Sequence, residues 1–423
     1  TLVAIDFLLE KFGAGLNVPE IVKRLAKTHV ISIDRLTKTI SLHPIDRDYA
    51  YNQLPAADRQ AMEIRAAQFY EQLRMPQDRW KTINDLHPHL CEFEHRVNAT
   101  QYSEAAQLLN QIDFDYLLPL GHTQRSIRMR RQLLDHVTDK HLKQLNLGYL
   151  GRALYDAGIY EEAIRYFLDA LEMAKELQDS ANEGMWTGHL GKIYDNTGRY
   201  AQALPYYHAA LEIAQRVGDR RNEGIWYGNI AFVQIYLGDH LEALNGFEKA
   251  IAIAREVNDQ RYVGIWSSYL GHTLADLGRY DEALVHQQDG LKIARDMNNK
   301  FNEVYRLIDM GLTYLKSGRS DQALTTIRAS IDLATEIQNY QERQYQLTLL
   351  GQIYLQLDRL EEAGSALEEA SKFSSEWNNH RTLTTRGIVF ARLHAPVEAS
   401  EAFRAAIAHA ESLLTRTANS FDP

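Results

Sequence analysis

Cys91 is the sole cysteine among 423 residues, so no internal disulfide can form, a usage that suits a reducing compartment. A basic surplus is missing as well. Forty-six Lys and Arg stand against 56 Asp and Glu, a formal net charge of −10 that argues against a general nucleic-acid or anionic-membrane binder. No uninterrupted apolar run reaches the roughly 18 residues that a spanning helix needs, so no contact with a membrane is expected. Motifs of catalysis are absent too. The sequence contains no G-x-S-x-G, H-E-x-x-H, G-x-G-x-x-G or phosphate-loop G-x-x-x-x-G-K-[ST], and an enzyme reading has nothing behind it. The opening Thr1-Leu2-Val3-Ala4-Ile5 holds neither Met nor a basic-then-apolar leader, so the chain reads as a piece of a longer polypeptide rather than a secreted product.

What is present is a composition of 45% hydrophobic and 24% charged residues, ordinary for a globular chain and too apolar for a disordered one. Charge is unevenly spread. Basic and acidic residues balance at 18 each over residues 1–140, so the whole surplus of acid lies in 141–423. At least two differently composed parts follow.

The second part repeats itself. LGRALYDAGIYEEAIRYFLDAL, LGKIYDNTGRYAQALPYYHAAL, IAFVQIYLGDHLEALNGFEKAI and three later segments align without a gap. Gly151, Gly191, Ala231, Gly271, Gly311 and Gly351 fall 40 apart, as do Ala163, Ala203, Ala243, Ala283, Ala323 and Ala363. A seventh copy, Gly387 to Ala399, keeps the inner spacing of 12. The small residues of a first helix sit where a second helix must cross closely. Gly158, Gly198, Gly238, Gly278 and Gly318 then supply the backbone freedom that ends a helix. Ala163, Phe167 and Ala170 show the second helix's apolar face at helical spacing.

These residues resemble the tetratricopeptide repeat, a helix–turn–helix unit of about 34 residues, here lengthened to a period of 40. The resemblance covers roughly residues 141–411 and implies a superhelix whose concave face binds a protein or peptide. Candidate groove residues lie at minus two and plus one from the small residue: Tyr149, Arg152, His189, Lys192, Asn229, Phe232, Tyr269, His272, Asp309 and Leu312. Trp186, Trp226 and Trp266 also recur at 40, either as packing between units or as a stacking surface.

The first part lacks the repeat. A helical pattern opens at Asn17-Val18-Pro19-Glu20, two short strands flank a turn at Asp34–Thr37, and a helix is expected over His43–Tyr51. Helix, hairpin, helix is the outline of a winged helix. Arg35 and Lys38 on the presumed wing are too few for a duplex reader. The run SLHPIDRDYAY resembles the end of the winged-helix domain in signal-transduction ATPases with numerous domains (the STAND, AP-ATPase or NB-ARC class). The following AAQFYEQLRMPQDRWKTINDLHPHLCEFEHRVNATQYSEAAQLL is similar to the helical connector of bacterial members. That resemblance implies that His43 contacts the β-phosphate of ADP and locks a resting state, and that the nucleotide-binding domain lies upstream in the same polypeptide. No cofactor is then expected in this chain itself, ADP or ATP entering only with that upstream domain.

Two remaining clusters carry alternatives. His87, Cys91 and His95 stand at i, i+4 and i+8 and could offer metal ligands, although Pro88 and the lack of a fourth ligand favour ordinary helix packing. The run Arg125-Ser126-Ile127-Arg128-Met129-Arg130-Arg131 could dock an acidic surface such as the repeats, or form a solvated stripe. The expected fold is mainly α: a winged-helix domain (1–54), a connector with one degenerate repeat (55–139), seven repeats (140–411) and a tail (412–423). The expected role is the sensor of a cytoplasmic signalling ATPase, monomeric as this piece; the rival is a free-standing repeat adaptor.

Overall fold

The computed structural model describes residues 18–27, 31–34, 39–42, 51–373 and 379–419, and the chain divides into two compact units, 1–198 and 199–423. His43 and the helix expected around it lie outside the described residues, except for the short end at Tyr51.

Unit 1 begins with α1 (Val18–Lys27) and an antiparallel hairpin of β1 (Ile31–Asp34) and β2 (Thr39–Leu42), Ile31 opposite Leu42. Helix and hairpin thus occur where the apolar pattern places them. Four connector helices follow: α2 (Ala56–Gln72), α3 (His87–Asn98), α4 (Tyr102–Ile112) and α5 (Thr123–Leu133). Their core is a cluster of Leu86, Phe93, Leu109, Ile112, Leu117 and Leu133, all fully buried. A single π-turn, Asp113–Leu117, ends α4 and turns Asp113 inward. Arg130 meets it there: Nε donates to Asp113 at 2.7 Å, and Nη1 to Asn110 at 2.7 Å and Asn146 at 3.3 Å. Both charges are only 1% exposed, so each neutralises a cost that neither could bear alone.

The repeats open with α6 (Lys140–Asp156) and α7 (Tyr160–Glu176), and unit 1 closes with α8 (Ser180–Asn196). Gly158 turns the chain between α6 and α7 at φ +75°, a left-handed conformation that glycine adopts without a Cβ clash. A Cβ on Gly151 would meet the Phe167 ring at 3.1 Å. The small residue therefore sets the close crossing of α6 and α7, as the spacing predicts.

Unit 2 begins with α9 (Tyr200–Val217) and continues with four helix pairs in the repeat register. These are α10 (Arg220–Leu237) with α11 (His240–Glu256), α12 (Gln260–Asp276) with α13 (Tyr280–Asp296), α14 (Lys300–Lys316) with α15 (Ser320–Glu336), and α16 (Arg343–Gln356) with α17 (Leu360–Ala370). A last pair, α18 (Asn379–Arg392) and α19 (Pro396–Asn419), completes the unit; α19 runs beyond the repeat boundary at 411. The crossing rule recurs, since a Cβ on Gly311 would lie 2.4 Å from Ile327. First helices start on a side-chain cap that also keeps the 40-residue period. Asp219, Asp259 and Asn299 accept from the backbone N–H three residues on, which satisfies a donor the helix leaves open. The fold is an α-solenoid of tandem helix pairs.

Candidate functional site

In each unit the first helices of neighbouring repeats pack side by side, α6 on α8 in unit 1, and α10, α12, α14, α16 and α18 successively in unit 2. The candidate groove residues lie along this row of helices.

In unit 1, Tyr149 is half-buried, its ring edge-on to Trp186 at 5.6 Å and beneath the Arg130 guanidinium at 4.9 Å. Arg152 donates to Asp156 at 3.0 Å and lies over the rings of Phe114 and Tyr155. Lys192 is half-buried one turn along α8. His189 departs from expectation. It is 7% exposed and stacks on Phe167 at 5.2 Å, so it belongs to the core and not to an open groove. Burial first, then the positive charges of Lys192 and Arg152, pushes its imidazole well below the usual value, and Nδ1 has no hydrogen-bond partner. The ring is neutral at pH 7. The position two before the small residue sits on the seam with the second helix, and a broad flat ring there slides inward onto Phe167.

Unit 2 holds the remaining candidates. Asn229 is half-buried, and its Nδ2 donor finds no acceptor. Phe232 and Tyr269 meet edge to face at 5.0 Å, and Tyr269 stacks on Phe247 at 5.9 Å, so both are tied to the core. Leu312 likewise packs against the core of the fifth and sixth repeats. His272 lies 3.6 Å from Asp276 with 40% of its side chain exposed. Asp309 accepts from Arg306 at 3.2 Å. Burial raises the Asp309 carboxyl above its ordinary value, outweighing the opposing pull of Arg306 and His272. Tyr345 and Arg381, which the spacing does not single out, join the same row. The Tyr345 hydroxyl is raised by burial while it feels Arg381 and Asp309. The signal was available: both residues sit six positions before the small residue of their repeats.

The row thus offers an imidazole, a carboxylate and a phenol with an arginine. Such groups hold the backbone and polar side chains of a bound chain. Nothing in it pairs a nucleophile with a base, and among the described residues no group of three or more His, Cys, Asp or Glu could hold a metal. His95 is engaged elsewhere, hydrogen-bonded through Nδ1 to Glu63 at 2.6 Å, while Cys91 lies 3.6 Å from His87. No helix among the described residues is long and apolar enough to cross a membrane.

The tryptophans resolve as packing. Trp186, Trp226 and Trp266 are at most 4% exposed. A Cβ on Gly148 would lie 2.3 Å from the Trp186 indole, and one on Gly228 equally close to Trp266. The basic run splits three ways. Arg130 is the buried centre described above, Arg131 reaches Glu162 of the first repeat at 2.7 Å, and Arg125 and Arg128 remain at the surface. A wholly solvated stripe is therefore not what forms.

Tetratricopeptide repeat families match residues 147–177, 182–256, 268–300 and 308–375. No curated protein matches the sequence significantly. Among solved structures, a signal transduction ATPase with numerous domains (STAND) protein with a tetratricopeptide repeat sensor, from Pyrococcus horikoshii, is similar over 99% of this chain, at 17% identity and TM-score 0.65. This chain spans 62% of that protein's length. The apo form of RapI aligns with 64% of this chain and 99% of its own length, at 15% identity and TM-score 0.55. At these identities the likeness is one of fold.

Proposed function

We propose that this tetratricopeptide-repeat chain is the sensor and autoregulatory region of a STAND signalling ATPase. The repeats capture a protein or peptide along the first-helix row, and the winged-helix domain expected over residues 1–54, of which α1, β1 and β2 are described, couples that capture to a nucleotide-binding domain encoded upstream. The observation that carries the reading is the order of parts. A helix and hairpin, a helical connector and then repeats run along the same 99% of the chain that aligns with the Pyrococcus protein. Binding shifts a switch only by its difference in affinity between two states, so a ligand that favours the released arrangement would promote nucleotide exchange.

His272 and Asp309 supply the polar contacts in this reading, because their side chains are partly exposed along the row, while the Asn229 amide nitrogen is buried and His189 and Tyr269 are held by stacking. A long open row of helices suits a chain-like ligand better than an enclosed small molecule. The test is a pull-down with the repeat region, repeated with His272→Ala and Asp309→Ala combined. A partner retained by the parent and lost by the variant, whose melting is unchanged, supports capture on this face; equal retention refutes it.

The rival, a free-standing adaptor joining two proteins without a nucleotide step, accounts for the repeats equally but gives His43 no task. The coding sequence upstream of Thr1 separates the two: a phosphate-loop motif there supports the switch.

A further inference from the structure

The second helices of the first four repeats carry an apolar residue eight positions after their small alanine: Leu171, Leu211, Ile251 and Leu291. All four are at most 9% exposed. The next repeat covers them, as where Leu291 of α13 clusters with Leu307 and Met310 of α14. In the last pair the same position holds Ile407, and there it is 57% exposed. Ala391 of α18 shows the same change. Its counterparts Ala275 and Leu315 are buried, whereas Ala391 is exposed. The surface that joins one repeat to the next thus continues onto α18 and α19, and no further helix among the described residues covers it. A terminal repeat that faces water ordinarily has a polar outer side; this one presents an isoleucine.

Beside Ile407 opens a cleft of about 620 Å³, lined by Ala391, His394, Pro396, Phe403 and Arg404. Helix α19 also runs 24 residues, to Asn419, where α7, α9, α11, α13 and α15 run 17 or 18. It reaches past the repeat that it completes. We propose that this end is a self-association surface on which two copies pair through antiparallel α19 helices, the overhanging turns of each filling the other's cleft. The sequence alone suggests a monomer; the uncovered end argues for a symmetric dimer. Such a contact uses the same face twice, so the face must complement itself. Arg404 and Glu411 meet that requirement. Both are exposed, and they lie seven residues apart, two turns along the side of α19 that carries Ile407. A two-fold axis near Ala408 sets Arg404 of one copy level with Glu411 of the other, twice over, and lays each Ile407 against the opposite helix. Arg404 now donates to Ser400, one turn back on its own helix, at 3.1 Å; a carboxylate is the stronger acceptor. A partner of one charge sign would match either Arg404 or Glu411 but not both. The first helix of another repeat would bury Ile407 and leave the overhang of α19 without a contact.

Sedimentation velocity of the full chain from about 1 to 100 µM covers the range in which a small interface associates. The parent should pass from monomer to dimer across it. Ile407→Asp should weaken association at least about tenfold. Leu241→Asp, the same change at an exposed leucine of α11, should leave it within about twofold. Both side chains are exposed, so neither variant disturbs the core, and unchanged melting checks this. Arg404→Glu and Glu411→Arg should each weaken the dimer, and the two combined should restore it. A parent that stays monomeric would overturn the pairing and give the end to a further repeat instead. An Ile407→Asp dimer as tight as the parent's, an equal loss in Leu241→Asp, or a charge swap that restores nothing would overturn it as well.

Discussion

The Trp186 indole lies so closely over Gly148 that a Cβ at that glycine would come within 2.3 Å of the ring. Trp266 stands in the same relation to Gly228, one repeat pair further along the chain. The flat ring of one repeat thus fills the space left by a missing side chain in the repeat before it. Gly148→Ala gains about 1 kcal/mol of helix propensity. It must also displace a fully buried indole, an overpacking cost at or beyond the upper end of the typical 1–3 kcal/mol, roughly. A net loss of about 2 kcal/mol is expected, read by urea unfolding followed through tryptophan fluorescence. A neutral or stabilising substitution would show that the rings do not set the repeat spacing.

Gly364 gives the opposite sign. It lies inside α17 with nothing within 4 Å of the place a Cβ would occupy. Gly364→Ala should therefore stabilise the sixth repeat by about 0.5–1 kcal/mol, measurable as a higher urea midpoint at unchanged slope.

Adjacent arginines on α5 should behave differently. Arg130→Met strands the Asp113 carboxylate, 1% exposed, and should cost about 3–5 kcal/mol. Arg131→Met breaks a pair whose arginine is 48% exposed and should cost less than about 1 kcal/mol. Thermal melting of the two variants side by side checks this, and similar losses would contradict the burial assigned to Arg130.

His189 makes stability depend on pH. Its folded imidazole is held well below the ordinary 6.5. The stabilisation is thus whole above 6.5 and is lost as pH falls below it, where the unfolded chain takes up a proton that the folded ring refuses. The slope per group cannot exceed about 1.4 kcal/mol per pH unit. His189→Phe keeps the stacking on Phe167 and abolishes that proton uptake, so unfolding free energy between pH 7 and 5 should decline less steeply than in the parent. Some slope should remain from His89, which burial and Arg74 lower to about 4. Parallel profiles would show that His189 is protonated in place.

Much of the repeat architecture was legible because each unit solves the same steric problem with the same residue. Gly151 and Gly311 mark helix crossings, and Gly158 and Gly318 mark turns with φ of +75° and +74°. Other turns hid in plain view. Gln178, Asn258, Asn298 and Gln338 take the same left-handed conformation without being glycine, and only their place after each second helix reveals them. The tryptophans were ambiguous in isolation; Gly148 and Gly228, three residues before the small positions, held the answer. The groove residues were the least legible, because one position holds His189, Asn229, Tyr269 and Asp309. A wide ring at that seam turns into the core, while the short Asp309 side chain stays partly exposed on the row. Arg130 was equally hidden, since its partner Asp113 arrives by way of a π-turn that no periodicity announces.

The central claim, coupling of repeats to a nucleotide switch, is tested most directly by the nucleotide content of the complete polypeptide. Purified from its source and denatured, the parent should release ADP, and His43→Ala should release little while its repeats melt unchanged. Equal ADP in both, or a complete polypeptide with no phosphate loop upstream of Thr1, would contradict it.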